Sequence, residues 1–103
     1  MIIWNDSTMT TLYQSSEPSS ESKCVVKFEE DSILVEYHED GAFYQYKGSK
    51  NGDGHFVLQA EGFEGRATLH MFNESSILEG SWIEEGRNGM WKIELKSNFG
   101  QAR

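Results

Sequence analysis

Residues 78–95 read LEGSWIEEGRNGMWKIEL, and the alternation in this stretch predicts the fold of the chain. Apolar or small residues take every second position on both sides of a turn-forming tetrad at residues 85–88. Because successive side chains of a strand point to opposite faces, a hairpin that pairs Trp82 with Trp91 sets both indoles on one face. That face carries Leu78, Gly80, Trp82, Trp91, Ile93 and Leu95. It holds two of the three tryptophans, so we expect it to be the best-buried surface of the protein.

The same alternation runs through residues 23–96 and is typical of β-strands joined by short turns. Further inward positions are predicted at Cys24, Val26, Phe28, Ile33, Val35, Tyr37, Ala42, Tyr44, Tyr46, Phe56, Leu58, Ala60, Ala67, Leu69 and Met71. The dipeptide at residues 40–41, Asp-Gly, favours a two-residue hairpin turn, which sets Tyr44 opposite Tyr37. A turn at residues 62–65 sets Glu61 beside Arg66 on the outer face.

These strands predict an all-β fold, an antiparallel up-and-down meander of about seven to eight strands that closes into a small barrel. Closure has two alternatives: the strand near Trp91 meets the strand near Val26, or the segment near Leu12 joins as an eighth strand. A half-open sheet that dimerises through its edge is the structural alternative. The predicted organisation is an N-terminal segment (1–22, one strand and then a flexible linker from residue 14), a barrel domain (23–97) and a C-terminal tail (98–103).

The charge of the chain limits the classes of partner that it can bind. The net charge is −8, and the acidic residues are spread along the sequence. Nucleic acid and anionic membranes are therefore poor partners, whereas a basic protein fits. The single cysteine, Cys24, has no partner for an internal disulfide, and the first residues lack the pattern of a signal peptide. We expect a cytoplasmic protein, a monomer or a homodimer.

The histidines do not predict a metal or a catalytic site. His38, His55 and His70 fall on the outer face, and their spacing is not that of a zinc site. The predicted register sets His55 beside Phe72 and Val57 beside His70, with no carboxylate in line for a triad. We interpret the three histidines as solvated surface residues.

The other reactive side chains also have simple structural interpretations. Cys24 lies among apolar inward residues with no base nearby, which favours an inert thiol. The acidic pairs at residues 39–40 and 84–85 are interpreted as solvated tips of turns. The sequence therefore predicts a protein that is not an enzyme and that needs no cofactor and no metal.

Aromatic residues of the inner face are the predicted ligand site. These residues are Tyr37, Tyr44, Tyr46, Trp82 and Trp91. Three tyrosines on one inner surface bring three hydroxyl groups that need partners. A barrel of about eight strands either holds one small ligand or is filled by its own side chains. We expect a small hydrophobic or aromatic ligand; the alternative is that Phe56, Leu58 and Met71 fill the interior.

The pattern Leu78-x-Gly80-x-Trp82, followed by Gly89-x-Trp91-x-Ile93-x-Leu95, resembles the glycine–tryptophan hairpins of small calycin-like barrels of the lipocalin and avidin style. It also resembles short uncharacterised bacterial proteins that end in such a hairpin. The expected function is non-enzymatic binding of a small molecule. The alternatives are an acidic protein-binding module of the inhibitor or immunity type, marked by exposed Phe43, Phe63 and Phe72, and a self-associating structural barrel.

Overall fold

The computed structural model describes residues 1–13 and 19–97, and it folds them into eight β-strands. The strands are β1 (Ile2–Tyr13), β2 (Ser20–Glu29), β3 (Ser32–Glu39), β4 (Ala42–Lys50), β5 (His55–Ala60), β6 (Gly65–His70), β7 (Ile77–Glu84) and β8 (Arg87–Glu94). The predicted C-terminal tail lies outside the described residues, as does the part of the predicted linker at residues 14–18. Ser20 and its neighbours, which were expected in that linker, belong to β2 instead.

The strands form a closed antiparallel barrel in which each strand pairs with the next along the chain. β1 completes the barrel by pairing with β2 on one side and with β8 on the other. The all-β meander barrel is confirmed, and closure follows the alternative in which the segment near Leu12 is the eighth strand. In residues 1–13 and 19–97, no helix is long and apolar enough to cross a membrane.

The hairpin of β3 and β4 has the predicted register. Tyr37 pairs with Tyr44, and Val35 pairs with Tyr46. The φ angles of Asp40 and Gly41 are 52° and 80°. Two positive φ angles in a two-residue loop match the twist of the flanking strands, which is why this dipeptide was a reliable signal.

The predicted register of the β7–β8 hairpin was wrong by two residues. Trp82 pairs with Gly89 and Gly80 with Trp91, because the turn is the dipeptide at residues 85–86 and not a tetrad. Both turn residues have positive φ, 47° for Glu85 and 84° for Gly86. A shift of two keeps every side chain on its face, so the predicted inner face survives the error.

The β5–β6 hairpin carries the same kind of error. Arg66 pairs with Gln59 and not with Glu61, which lies in the loop after β5. His55 consequently pairs with His70, and Val57 pairs with Thr68. The inner face is again preserved, because the displacement is two residues.

The core fills the middle of the barrel with side chains from all eight strands. Its buried hydrophobic residues are Met9, Cys24, Val26, Ile33, Val35, Tyr37, Tyr46, Phe56, Leu58, Ala67, Leu69, Leu78, Trp82, Trp91, Ile93 and Leu95. Gly80 takes an inward position at which a Cβ would lie 1.6 Å from the carbonyl oxygen of Thr68. Only glycine permits this close approach of β7 to β6, and glycines of this kind let a small barrel curve tightly.

An irregularity in β1 fits the strand to its neighbours. The pairing with β2 shifts between Trp4 and Ser7, and Ser7 is fully buried. The Lys96 amide donates a hydrogen bond to Ser7 Oγ at 3.0 Å, and Ser7 Oγ donates to the Trp4 carbonyl at 3.1 Å. The Ser7 hydroxyl therefore hydrogen-bonds to backbone groups that have no partner where the strand pairing is interrupted.

Candidate binding pocket at one end of the barrel

The turns of the meander lie alternately at two ends of the barrel. The end with the turns at residues 40–41, 61–64 and 85–86 is called the pocket end here. The opposite end, with the turns at residues 30–31, 51–54 and 71–76, is called the apolar end. A cavity of about 160 Å³ opens at the pocket end. Its walls are Thr11, Tyr37, Glu39, Asp40, Tyr44, Trp82, Glu84, Arg87 and Trp91.

Four of the five aromatic residues predicted as a ligand site line this cavity. Tyr37 and Tyr44 stack with ring centroids 5.2 Å apart and planes inclined by 22°. Trp82 and Trp91 face each other at 6.5 Å, inclined by 32°. The rings come from β3, β4, β7 and β8, which the closed barrel brings together at one end.

Tyr46, the fifth predicted residue, lies below the cavity and is fully buried. Its ring meets Trp91 edge-on at 5.0 Å and Phe63 at 5.7 Å. Tyr46 therefore supports the floor of the pocket through its ring and reaches toward the cavity with its hydroxyl group.

The wall of the pocket contains a carboxylate that the sequence interpretation placed in solvent. Glu84 is half-buried, and its Oε2 accepts a hydrogen bond from Tyr46 Oη at 2.5 Å. Tyr37 Oη donates to the same oxygen at 3.5 Å. The interpretation of Glu84 as a solvated turn residue was wrong, because it is the last inward position of β7, in line with Trp82. Glu84 is therefore the hydrogen-bond partner that the hydroxyls of Tyr37 and Tyr46 require.

Glu39 is the corresponding last inward residue of β3, and it is half-buried as well. Burial, followed by the nearby carboxylates of Asp40 and Glu84, raises the pKa of Glu39, and the guanidinium of Arg87 opposes this shift. The interpretation of Glu39 as a solvated residue was therefore also wrong, whereas Asp40 is exposed as expected. The cavity wall contains three carboxylates and one guanidinium, so its net charge is negative.

The same carboxylates act on the tyrosines. Burial, and then the charge of Glu84, raises the pKa of Tyr37 far above its usual range. Burial, and then the hydrogen bond to Glu84, does the same to the pKa of Tyr46. The carboxylate would repel the negative charge of a tyrosinate. Both tyrosines therefore stay protonated at neutral pH, and their hydroxyls remain hydrogen-bond donors.

The size of the cavity limits what it can hold. A cavity of about 150 Å³ accommodates benzene, whereas pockets for drug-sized ligands span about 300–1,000 Å³. At about 160 Å³, this cavity fits a compact molecule and excludes the bulk of a long lipid chain. Aromatic side chains and carboxylates in its wall suit a ligand with an apolar body and a hydrogen-bond donor or positive charge.

Phe63 was expected to be exposed, and this expectation was wrong. The residue is half-buried and meets the rings of Tyr44 and Tyr46 edge-on, at 5.5 and 5.7 Å. Phe43 and Phe72 are exposed as expected, by 54% and 85%. The loop at residues 61–64 thus turns its aromatic side chain back onto the pocket wall.

The remaining reactive side chains lie away from the pocket. His55 and His70 are exposed on the outer face, with their Nδ1 atoms 2.8 Å apart, as a hydrogen bond between a protonated and an unprotonated nitrogen requires. Within the part of the chain that the structure describes, no group of three or more potential ligands is placed to hold a metal ion. Cys24 is buried, and burial raises the pKa of its thiol to about 12.

Comparisons with protein-family models, with curated proteins and with solved structures gave no match to this chain. The pocket is therefore interpreted from its own geometry.

Proposed function

We propose that this chain is a non-enzymatic binding protein, built in the manner of a small calycin-like barrel, that takes a small molecule with an aromatic or apolar body at the pocket end. The proposal is carried by one observation: four aromatic residues from four strands line a cavity of about 160 Å³ with a hydrogen-bonded carboxylate, Glu84, in its wall. A core that was merely filled would leave no such cavity between its side chains.

The local chemistry supports binding better than catalysis. The hydroxyls of Tyr37 and Tyr46 are held by Glu84, and their raised pKa values keep them protonated, so neither is available as a general base. Rings that flank a ligand and a carboxylate that orients its polar end are the usual elements of a small-molecule site.

Titration with a panel of small aromatic and aliphatic compounds, followed by tryptophan emission, tests this proposal. Trp82 and Trp91 line the cavity, so we expect a saturable change in emission. The change should weaken in Trp82→Ala and in Tyr44→Ala, while far-ultraviolet circular dichroism shows that both variants still fold. His38→Ala is the control, because His38 lies on the outer face of β3. If no compound binds, or if the control weakens binding equally, the pocket is not a ligand site.

A second candidate is a basic partner protein that covers the acidic rim of the pocket end. It is favoured by the exposed carboxylates of Asp40 and Glu85 in adjacent turns and by the exposed ring of Phe43. Such an association would be fast and would slow as salt is added. An association rate that is independent of salt would exclude it, and a sedimentation measurement would identify the alternative of self-association.

A further inference from the structure

The pocket carries more negative than positive charge inside walls of aromatic rings. Glu39, Asp40 and Glu84 supply three carboxylates to its wall, and Arg87 supplies one guanidinium. Glu84 and Arg87 pair across the turn between β7 and β8, where Glu84 is half-buried and Arg87 is exposed. With three carboxylates against one guanidinium, the wall as a whole disfavours an anionic ligand.

The rings of four aromatic residues line the same space. Tyr37 and Tyr44 form one stacked pair, and Trp82 and Trp91 form a second, tilted pair. The face of an aromatic ring attracts a cation, most strongly for tryptophan, and aromatic cages are a general solution for ammonium groups that carry methyl substituents. Such walls act on the whole surface of a cation, including parts that cannot form hydrogen bonds.

Glu84 retains the capacity to act on a ligand. Both tyrosine hydroxyls donate to Oε2, and Oε1 takes part in neither of these hydrogen bonds. Two donors on one oxygen hold the carboxylate in a fixed orientation. The second oxygen is therefore a positioned acceptor for an N–H group, and the carboxylate as a whole is a counter-charge for a group without N–H donors.

We propose that the pocket selects a small organic ammonium ion, with Glu84 as its counter-charge and the Tyr37, Tyr44, Trp82 and Trp91 rings around it. This inference rests on the proposed function and names the chemical class of its ligand. The size of the cavity, close to that which accommodates benzene, restricts the cation to a compact head group with a short chain. A neutral molecule of the same shape would leave the negative charge of the pocket uncompensated.

Calorimetric titration with a matched pair of compounds tests this selectivity. Choline carries a quaternary ammonium group, and dimethylbutanol is its neutral carbon analogue with nearly the same shape. We expect choline to bind about tenfold more tightly or better, the range that one desolvated cation–ring contact already provides. Equal affinities would overturn the cation selectivity and leave the proposed function standing. Failure of both compounds and of the aromatic panel would overturn the proposed function itself.

Variants of the carboxylates locate the source of the selectivity. In Glu84→Gln, the amide oxygen still accepts from the tyrosines but the charge is gone, so we expect choline to lose about tenfold in affinity while dimethylbutanol binds unchanged. Glu79→Gln is the matched control, because it removes the same charge from the exposed outer face of the same strand. An equal loss in Glu79→Gln would show that net charge alone is responsible and would overturn the role of Glu84.

A second carboxylate keeps the inference testable if Glu84→Gln does not fold. Glu39→Gln removes a charge from the wall of the cavity without touching the hydrogen bonds to Glu84, and we expect it to weaken choline binding severalfold. Unchanged choline affinity in a folded Glu39→Gln variant, with Glu84→Gln unfolded, would overturn the inference.

An ammonium group can come from a free compound or from a protein side chain. A short peptide that contains trimethyllysine distinguishes the two sources. Binding of the peptide about tenfold tighter than choline would assign the cation to a protein partner, and equal or weaker binding would assign it to a free compound. Both results support an ammonium site, whereas equal binding of the peptide with unmodified glutamine in place of trimethyllysine would overturn it.

Discussion

The two ends of the barrel are made from the same eight strands and close in different ways. At the apolar end, Phe28 and Phe56 meet with ring centroids 5.7 Å apart, and Ile33 beside them is almost fully buried. At the pocket end, the rings stand around a cavity, and the hydroxyl groups of Tyr37 and Tyr46 donate to Glu84. Alternation along the strands determines that all of these side chains point inward.

The difference shows that inward orientation does not decide whether side chains pack against one another or hydrogen-bond beside a cavity. Apolar side chains at the apolar end gain by excluding water and therefore pack against one another. A carboxylate at the last inward position of a strand cannot be buried without donors, so the structure around it stays polar and open. The last inward residues of β3 and β7, Glu39 and Glu84, account for the open pocket end.

The largest expected effect comes from Trp91→Ala. Trp91 is 2% exposed and meets Tyr37 and Tyr46 edge-on, so its loss leaves a large cavity under the pocket. We expect the free energy of unfolding to fall by about 3–5 kcal/mol, measured by chemical denaturation. Phe56→Ala at the apolar end should lower the free energy of unfolding by a similar amount. Under conditions in which this variant is folded, its ligand affinity should be unchanged. An unchanged midpoint for Trp91→Ala would show that the inner and outer faces are reversed.

A smaller effect is expected from Tyr46→Phe, which removes a single hydroxyl group. The variant keeps the ring contacts of Tyr46 but leaves the half-buried carboxylate of Glu84 without one of its donors. Loss of a partner from such a group costs about 1–3 kcal/mol of unfolding free energy. Tyr44→Phe is the matched control, because Tyr44 is less buried, at the wall of the cavity, and we expect it to change stability less. Equal losses in the two variants would contradict the role of the bond to Glu84.

The smallest expected effect at neutral pH is the pH dependence of stability that arises from the buried tyrosines and cysteine. This effect grows as the pH becomes alkaline. The folded protein raises the pKa of Tyr37, Tyr46 and Cys24, so the unfolded chain releases these protons first. The folded state then binds more protons, and the free energy of unfolding must fall as the pH rises. For Cys24 the loss begins near 9.0 and continues to about 12, and the tyrosines add to it above about 10.

Denaturation midpoints measured from neutral to alkaline pH, together with tyrosinate absorbance, check this expectation. Tyr46→Phe should flatten the alkaline decline, because one of the shifted groups is absent. Tyrosinate absorbance that develops fully before unfolding would contradict the burial of Tyr37 and Tyr46.

The fold could be predicted from the sequence because a two-residue period survives most mistakes about turns. The register of the β3–β4 hairpin was predicted correctly, since its Asp-Gly turn has a single favoured geometry. In the β5–β6 and β7–β8 hairpins the loop length was misjudged, yet both errors amounted to two residues and left the faces intact. The position of β1 stayed open, because a threonine-rich run suits a strand but does not specify its neighbours.

The candidate site was predicted in part. The five aromatic residues were found because they continue the inner face, and four of them line the cavity. Glu84 and Glu39 were missed although the same alternation, extended one step beyond Trp82 and Tyr37, points both inward. They were interpreted as solvated because acidic residues next to a turn are usually exposed, and this argument was given more weight than the alternation. The cavity itself could not be predicted, because its volume depends on how far the strands are staggered around the barrel.

The pairing of β1 with β8 also has a consequence for how the protein folds. Every other pair of adjacent strands is consecutive along the chain. The β1–β8 pair joins the first strand to the last, with Thr8 opposite Glu94. The hairpins can form from local contacts on a microsecond scale, whereas this last seam carries the highest contact order and the largest loss of chain entropy. Until the seam forms, the edges of β1 and β8 are open to any extended chain. The interval before closure is therefore when a crowded population of these molecules is most exposed to strand exchange.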